Sequence, residues 1–191
     1  MISPKDPMKL PISHDPTLFL DRDGVINKEI PGSYVLEWEQ FSFMPGSLQA
    51  IRELGRHFGL IVVVSNQPCI AKGLITAAKL DRIHQLMMQQ IRAEGGRMDR
   101  VYYCPDQERD SPCRKPNTGM GLKARKDFPE IDFSRSLIIG NNISDMEFGK
   151  RLGMQTCFLH TTQPAIVLPD PRIDLQFGNL GEAARYFTGS A

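Results

Sequence analysis

The sequence predicts an α/β fold in which a parallel sheet is covered by helices on both faces. Short β-branched apolar runs recur along the chain, and the segments between them repeat apolar residues every three or four positions. The runs are continuously apolar rather than alternating, as strands buried on both faces are. Strands alternating with helices in this way build parallel sheets.

Each element can be placed in order. Thr17 to Leu20 is the first apolar run. A helix follows Pro45-Gly46, with Ser47 as its N-cap and Leu48, Ile51 and Leu54 on its buried face. Leu60 to Val64, with Ile61 and three consecutive valines, is the second and clearest strand. Leu80, Ile83, Met87 and Ile91 form the stripe of a helix over 76–94, closed by Gly95-Gly96, and its methionines read as core filler. Val101 to Tyr103, Leu137 to Ile139 and Thr156 to Leu159 are further strands. Helices are expected over 119–128, over 144–152 and after Leu180.

Composition bounds what such a fold does. The 191 residues fit one domain, expected over 17–191, behind a proline-rich arm over 1–16. With 41% hydrophobic and 24% charged residues the chain is not a disordered one. Lys and Arg number 23 against 22 Asp and Glu, which provides no basic footprint for nucleic acid and no polybasic membrane patch. No apolar stretch approaches a membrane span, and the N-terminus lacks a secretory apolar region, so a cytoplasmic monomer is expected. The four cysteines do not resemble a disulfide scaffold.

In parallel α/β sheets, ligands bind beyond the carboxyl ends of the strands. After the first run stands Asp21-Arg22-Asp23-Gly24. Two aspartates two residues apart in extended chain face one side, and suit a divalent cation or split acid and base roles; a surface turn has the same spelling. Ser65-Asn66-Gln67 after the second run reads as an oxyanion cradle or as a helix cap. Arg114-Lys115 after the third is either a phosphate clamp or solvated surface. Gly140-Asn141-Asn142 and Asp145 after the fourth offer oxygens to a metal.

The order of these segments resembles the haloacid dehalogenase (HAD) superfamily of phosphatases, and within it the heptose bisphosphate and histidinol phosphatase branch. The resemblance rests on Leu20-Asp21-Arg22-Asp23-Gly24-Val25-Ile26-Asn27, Ser65-Asn66-Gln67 with Ile70-Ala71 and Gly73, Tyr103-Cys104-Pro105, Cys113-Arg114-Lys115-Pro116 with Gly119-Met120, and Ile139-Gly140 with Ser144-Asp145-Met146. It implies a HAD-type Rossmann-like fold and a Mg²⁺-dependent phosphomonoesterase. In that chemistry Asp21 is the nucleophile, Asp23 the general acid and base, and Ser65 and Lys115 stabilise the phosphoryl group. Asn66, Gln67, Lys72, Arg114 and Asn142 would meet the substrate, a small phosphorylated sugar. Mg²⁺ would be held by Asp21, the Asp23 carbonyl, Asn141 and Asp145. The spacings from Asp21 to Ser65 and from Tyr103 to Lys115 leave no room for a cap domain.

Two departures from the family pattern bear on the chemistry. Relatives often carry a structural zinc on a Cys-x-His and a later Cys-x-Cys; here Cys104 and Cys113 remain, but Asp106 and Ser111 replace the other two, so no zinc is expected. The fourth motif begins Gly140-Asn141 where Gly-Asp is usual, which removes a charge from the metal shell. The leading expectation is removal of the 7-phosphate of D-glycero-D-manno-heptose 1,7-bisphosphate in bacterial envelope sugar synthesis. Histidinol phosphate or another small sugar phosphate is the alternative substrate. A phospho-ligand binding module with a decayed metal site is the alternative of another class.

Overall fold

Five helices and six strands alternate along the computed structural model, which describes residues 16–162, 166 and 169–189. They are β1 (Thr17–Leu20), α1 (Ser47–Leu54), β2 (Leu60–Asn66), α2 (Ala77–Ala93), β3 (Arg100–Cys104), α3 (Gly119–Asp127), β4 (Leu137–Gly140), α4 (Ile143–Leu152), β5 (Gln155–Leu159), β6 (Leu175–Phe177) and α5 (Leu180–Thr188). All five ladders are parallel, and the strand order is β3-β2-β1-β4-β5-β6. The expected arm over 1–16 lies outside the described residues except for Pro16, whose carbonyl accepts from Gly59 N.

The period of two along each strand divides the core. Leu18, Leu20, Ile61, Val63, Leu137 and Ile139 face α1, α2 and α5, where Ile51, Leu54, Leu80, Ile83, Met87 and Ala183 are buried. Phe19, Val62, Val64 and Ile138 face the other side and pack on Met120, Ala124 and Phe148 of α3 and α4. Both faces are therefore covered, and the apolar runs have no polar alternates.

Two details differ from the sequence reading. Gly46, at φ +75°, caps α1, while the Ser47 hydroxyl donates to the Ile26 carbonyl and ties the helix start to the chain after β1. The edge strand β6 has no apolar run to announce it, being three half-covered or exposed residues. In other places the expectations hold closely: Thr76 accepts from Lys79 N at the start of α2.

The strand order reverses direction at β1, which lies between β2 and β4. Chain connections leave that point toward opposite ends of the sheet, opening a crevice at the carboxyl ends of β1 and β4. Between β1 and α1 the chain forms only one short 3-10 turn, Trp38–Gln40, and between β3 and α3 neither helix nor strand. Among the described residues no cap domain covers the crevice.

Candidate active site

The crevice is a cavity of about 700 Å³ lined by Asp21, Asp23, Ser65, Asn66, Arg114, Lys115, Asn141, Asn142 and Asp145, among others. Asp21 leaves the end of β1, and its N–H donates to the Ile139 carbonyl of β4, so the two strand ends are held together. Lys115 arrives from the loop after β3. Its Nζ lies 2.8 Å from Asp21 Oδ1, 2.6 Å from Asp145 Oδ1 and 2.6 Å from the Val64 carbonyl. Asn66 fixes this lysine through its backbone: Asn66 Oδ1 accepts from Lys115 N and Asn66 Nδ2 donates to Lys115 O.

One ammonium thus serves two buried carboxylates. Burial raises the Asp21 pKa against the pull of Lys115, and the nearby Asp145 and Asp23 charges add to the rise. Lys115 is itself raised: burial disfavours its charge, but Asp145 and Asp21 more than offset that. The group is one positive charge short, and the shortfall falls on Asp21.

Oxygen atoms converge where that charge is missing. The Asn141 side chain stands 3.1 Å from the Asp23 carbonyl oxygen and 3.3 Å from Asp21 Oδ2. With its oxygen turned toward them, three oxygens meet without a donor; with the amide reversed, Nδ2 donates to both and Oδ1 accepts from Thr162. The first arrangement is an oxygen donor set that fits a hard divalent cation such as Mg²⁺. Gly24 permits the approach, because at φ +80° a Cβ would come within 2.1 Å of the Asn141 amide nitrogen.

Asp23 uses its carboxylate elsewhere. Arg22 Nη2 donates to both its oxygens at 2.9 Å, Asn27 to Oδ1 at 2.9 Å and Gln67 to Oδ2 at 2.8 Å. Burial pushes Asp23 up, yet the Arg22 charge and these hydrogen bonds outweigh it and hold the carboxyl below its usual range. Arg22 is fully buried and is held in turn by His84, whose Nε2 lies 3.0 Å from Arg22 Nη1. A buried histidine next to a guanidinium stays neutral: burial first, then the Arg22 charge, push His84 down to about 3.

The other expected site residues make the following contacts. Gln67 is fully buried and outside the cavity lining; its amide donates to Asp23 and to Ser65 Oγ, so it braces both residues. Asn66 lines the cavity but spends its amide on the Lys115 backbone. Lys72 does not line the cavity; its Nζ donates to the Tyr34 hydroxyl at 2.7 Å, and Tyr34 does line it. Asp145 belongs to the lysine rather than to the oxygen triad, since its Oδ1 pairs with Lys115 and its Oδ2 accepts from Asn142 N. Ser65, Arg114 and Asn142 line the cavity as expected.

The cysteines bring a second correction. Cys104 and Cys113 are joined in a disulfide, against the reading of four cysteines without one. Ser111 Oγ donates to Asp106 Oδ2 at the same spot, so the four positions converge. Cys104, Asp106 and Cys113 bring two sulfurs and a carboxylate within 4.8 Å of one another. Cys69 and Cys157 are free and buried.

Sequence reasoning passed over Arg22 and His84. His84 sits four residues after Leu80 on the apolar stripe of α2, and a polar side chain on that stripe was the available signal.

A buried aspartate-lysine pair, converging oxygens and a second aspartate at the switch point of a parallel sheet fit a phosphatase of the HAD type. Comparison with known proteins agrees. Residues 112–182 match the HAD-hydrolase-like family model (Hydrolase_like). The chain is 36% identical over 135 residues to the D-glycero-alpha-D-manno-heptose-1,7-bisphosphate 7-phosphatase of Mycobacterium bovis, spanning 70% of this chain and 71% of that protein. It is 34% identical over 171 residues to the enzyme of the same name from Campylobacter jejuni, spanning 89% and 94%. With the D-glycero-beta-D-manno-heptose-1,7-bisphosphate 7-phosphatase of Escherichia coli K12 it shares 37% over 140 residues, 69% and 72% of the two chains. Among solved structures, the D,D-heptose 1,7-bisphosphate phosphatase of B. bronchiseptica complexed with magnesium and phosphate superposes with a TM-score of 0.81 at 26% identity, covering 92% of this chain and 99% of that one. The chain belongs to the heptose bisphosphate phosphatase family of the HAD superfamily.

Proposed function

We propose that this phosphatase removes the 7-phosphate of a D-glycero-D-manno-heptose 1,7-bisphosphate through an aspartyl-phosphate intermediate on Asp21. The observation that carries the chemistry is the division of labour within Asp21. Oδ1 is held by Lys115, while Oδ2 faces the Asp23 carbonyl and Asn141. The substrate follows the relatives, all three of which are named for this bisphosphate.

In this reading Asp21 Oδ1 attacks phosphorus, an O–P bond forms, and the bond from phosphorus to the sugar oxygen breaks. Asp23 gives the leaving oxygen its proton. The resting site favours the Asp23 carboxylate, so Asp23 takes that proton from solvent when the negative substrate arrives beside it. Asp23, again a carboxylate, then takes a proton from water, which attacks the acyl phosphate and frees Asp21 and inorganic phosphate. Lys115 and the Ser65 hydroxyl stabilise the phosphoryl oxygens. Mg²⁺, held by Asp21 Oδ2, the Asp23 carbonyl and Asn141 Oδ1, would offset phosphoryl charge and shield it from the carboxylate.

A phosphate-release assay on heptose 1,7-bisphosphate, histidinol phosphate and simple monoesters, with and without Mg²⁺, tests the reading. Preference for the bisphosphate, dependent on Mg²⁺, is expected. Equal rates on the bisphosphate and on histidinol phosphate would remove the substrate assignment and leave the chemistry.

A further inference from the structure

Arg22 does not line the crevice, yet one of its nitrogens touches both carboxylate oxygens of Asp23. Asn27 and Gln67 each reach only one of those oxygens. The set of the Asp23 carboxylate therefore follows the guanidinium more than either amide. The Arg22 backbone is fixed, since its carbonyl accepts from Ile26 N at 2.8 Å and Asn27 N at 3.1 Å. Its side chain is held at fewer points. Nε has no partner among the described residues, so beyond Asp23 the one further hold is Nη1 on His84 Nε2, at 3.0 Å.

His84 comes from α2, 62 residues along the chain from Arg22. A guanidinium only donates, so Nε2 accepts and the neutral ring carries its proton on Nδ1. The ring is buried on the apolar stripe of α2, with its centroid 5.5 Å from that of Tyr103 on β3. Tyr103 is fixed in turn by a hydrogen bond with Asp81, one turn earlier on α2. His84 itself is outside the cavity lining and moves no proton in the reaction described above. Its place behind Arg22 leaves it a different task, because a buried guanidinium with unmet donors turns to find other partners.

We propose that His84 is a positioning residue for Asp23, acting through Arg22: by accepting from Nη1 it sets the plane of the guanidinium, and the guanidinium sets the carboxylate. The inference rests on the reading above, in which Asp23 protonates the leaving oxygen, and adds what keeps that acid in place. A displaced acid slows only those leaving groups that need its proton. A general loss of structure slows all of them alike.

The test compares kcat/KM for heptose 1,7-bisphosphate, whose alkoxide leaving group needs a proton, with that for p-nitrophenyl phosphate, whose phenolate leaves without one. This ratio stops at phosphoryl transfer, so the later hydrolysis of the acyl phosphate does not enter. Wild type, His84→Leu, His84→Gln and Asp23→Asn are measured, with melting curves to verify folding. His84→Asn, whose amide falls short of Arg22, replaces His84→Leu if that variant does not fold. His84→Leu is expected to lose about 10–100-fold on the bisphosphate and less than about threefold on the aryl ester. His84→Gln, which keeps an acceptor, should recover most of the loss. In ¹⁵N NMR the two Nη signals of Arg22, assigned by their loss in Arg22→Lys, should be resolved in wild type and His84→Gln and averaged by rotation in His84→Leu. Equal losses on both esters, no loss, or Arg22 signals unchanged in His84→Leu would overturn the proposal. If Asp23→Asn itself loses equally on both esters, or the wild type hydrolyses neither, the acid role of Asp23 fails, and the Arg22 signals still decide whether His84 holds the guanidinium.

Discussion

Nζ of Lys115 lies 2.8 Å from Oδ1 of Asp21, although 94 residues separate them in the chain. The contact spans β2, and Val64 and Asn66 of that strand hold the lysine in place. Replacing Lys115 with Ala leaves Asp21 and Asp145 buried without a cation. A buried pair broken on one side costs about 3–5 kcal/mol, and a lost oxyanion partner about 100–1000-fold in kcat. Thermal unfolding and phosphate release read the two losses. Asp21→Asn provides the contrast: turnover is lost, but the fold is at least as stable because one of two competing anions has gone.

We propose that Asn141, whose side chain stands beside Asp21 Oδ2 and the Asp23 carbonyl, would supply the metal with an oxygen but no charge. Asn141→Asp is expected to lower the Mg²⁺ concentration for half-maximal activity by roughly tenfold, since ligand charge tunes affinity for hard cations. Titration of activity against Mg²⁺ checks this, and an unchanged midpoint excludes Asn141 from the metal shell.

His84 gives the protein an acid-side weakness. Its pKa is about 3 in the folded chain, from burial first and Arg22 second, and 6.5 when free. The unfolded state therefore binds more protons between these values, and stability is full above the free pKa and lost as pH falls through that window. In His84→Gln, which retains an acceptor for Arg22, the decline in melting temperature from pH 7 to pH 4 should be shallower. Parallel declines in the two proteins would show that His84 does not titrate on unfolding.

Zinc is expected to be absent from the purified protein. Asp106 and Ser111 do not replace a histidine and a thiolate, and Cys104 and Cys113 are bonded to each other. Elemental analysis of the protein as isolated should find less than stoichiometric zinc, and one zinc per chain would contradict the donor argument.

Five strands were legible because each carries a short apolar run, the clearest being Ile61 to Val64, although β3 is only partly buried. β6 was not, since Leu175–Phe177 lies at the sheet edge with no apolar signature. At the site, position along the chain brought Asp21, Ser65, Lys115 and Asn141 to the right strand ends. It could not tell which way a polar side chain turns. Gln67 and Asn66 carry the same amide chemistry whether they meet substrate or brace Asp23 and Lys115, and only their packing distinguishes the two.

The central claim is that Asp21 carries the phosphoryl group. Rapid-quench mass spectrometry of the enzyme turning over heptose 1,7-bisphosphate with Mg²⁺ measures it directly. A transient phosphoryl adduct is expected on the peptide containing Asp21 in the wild type and none in Asp21→Asn. Turnover without any such adduct, or with an adduct on another residue, would contradict it.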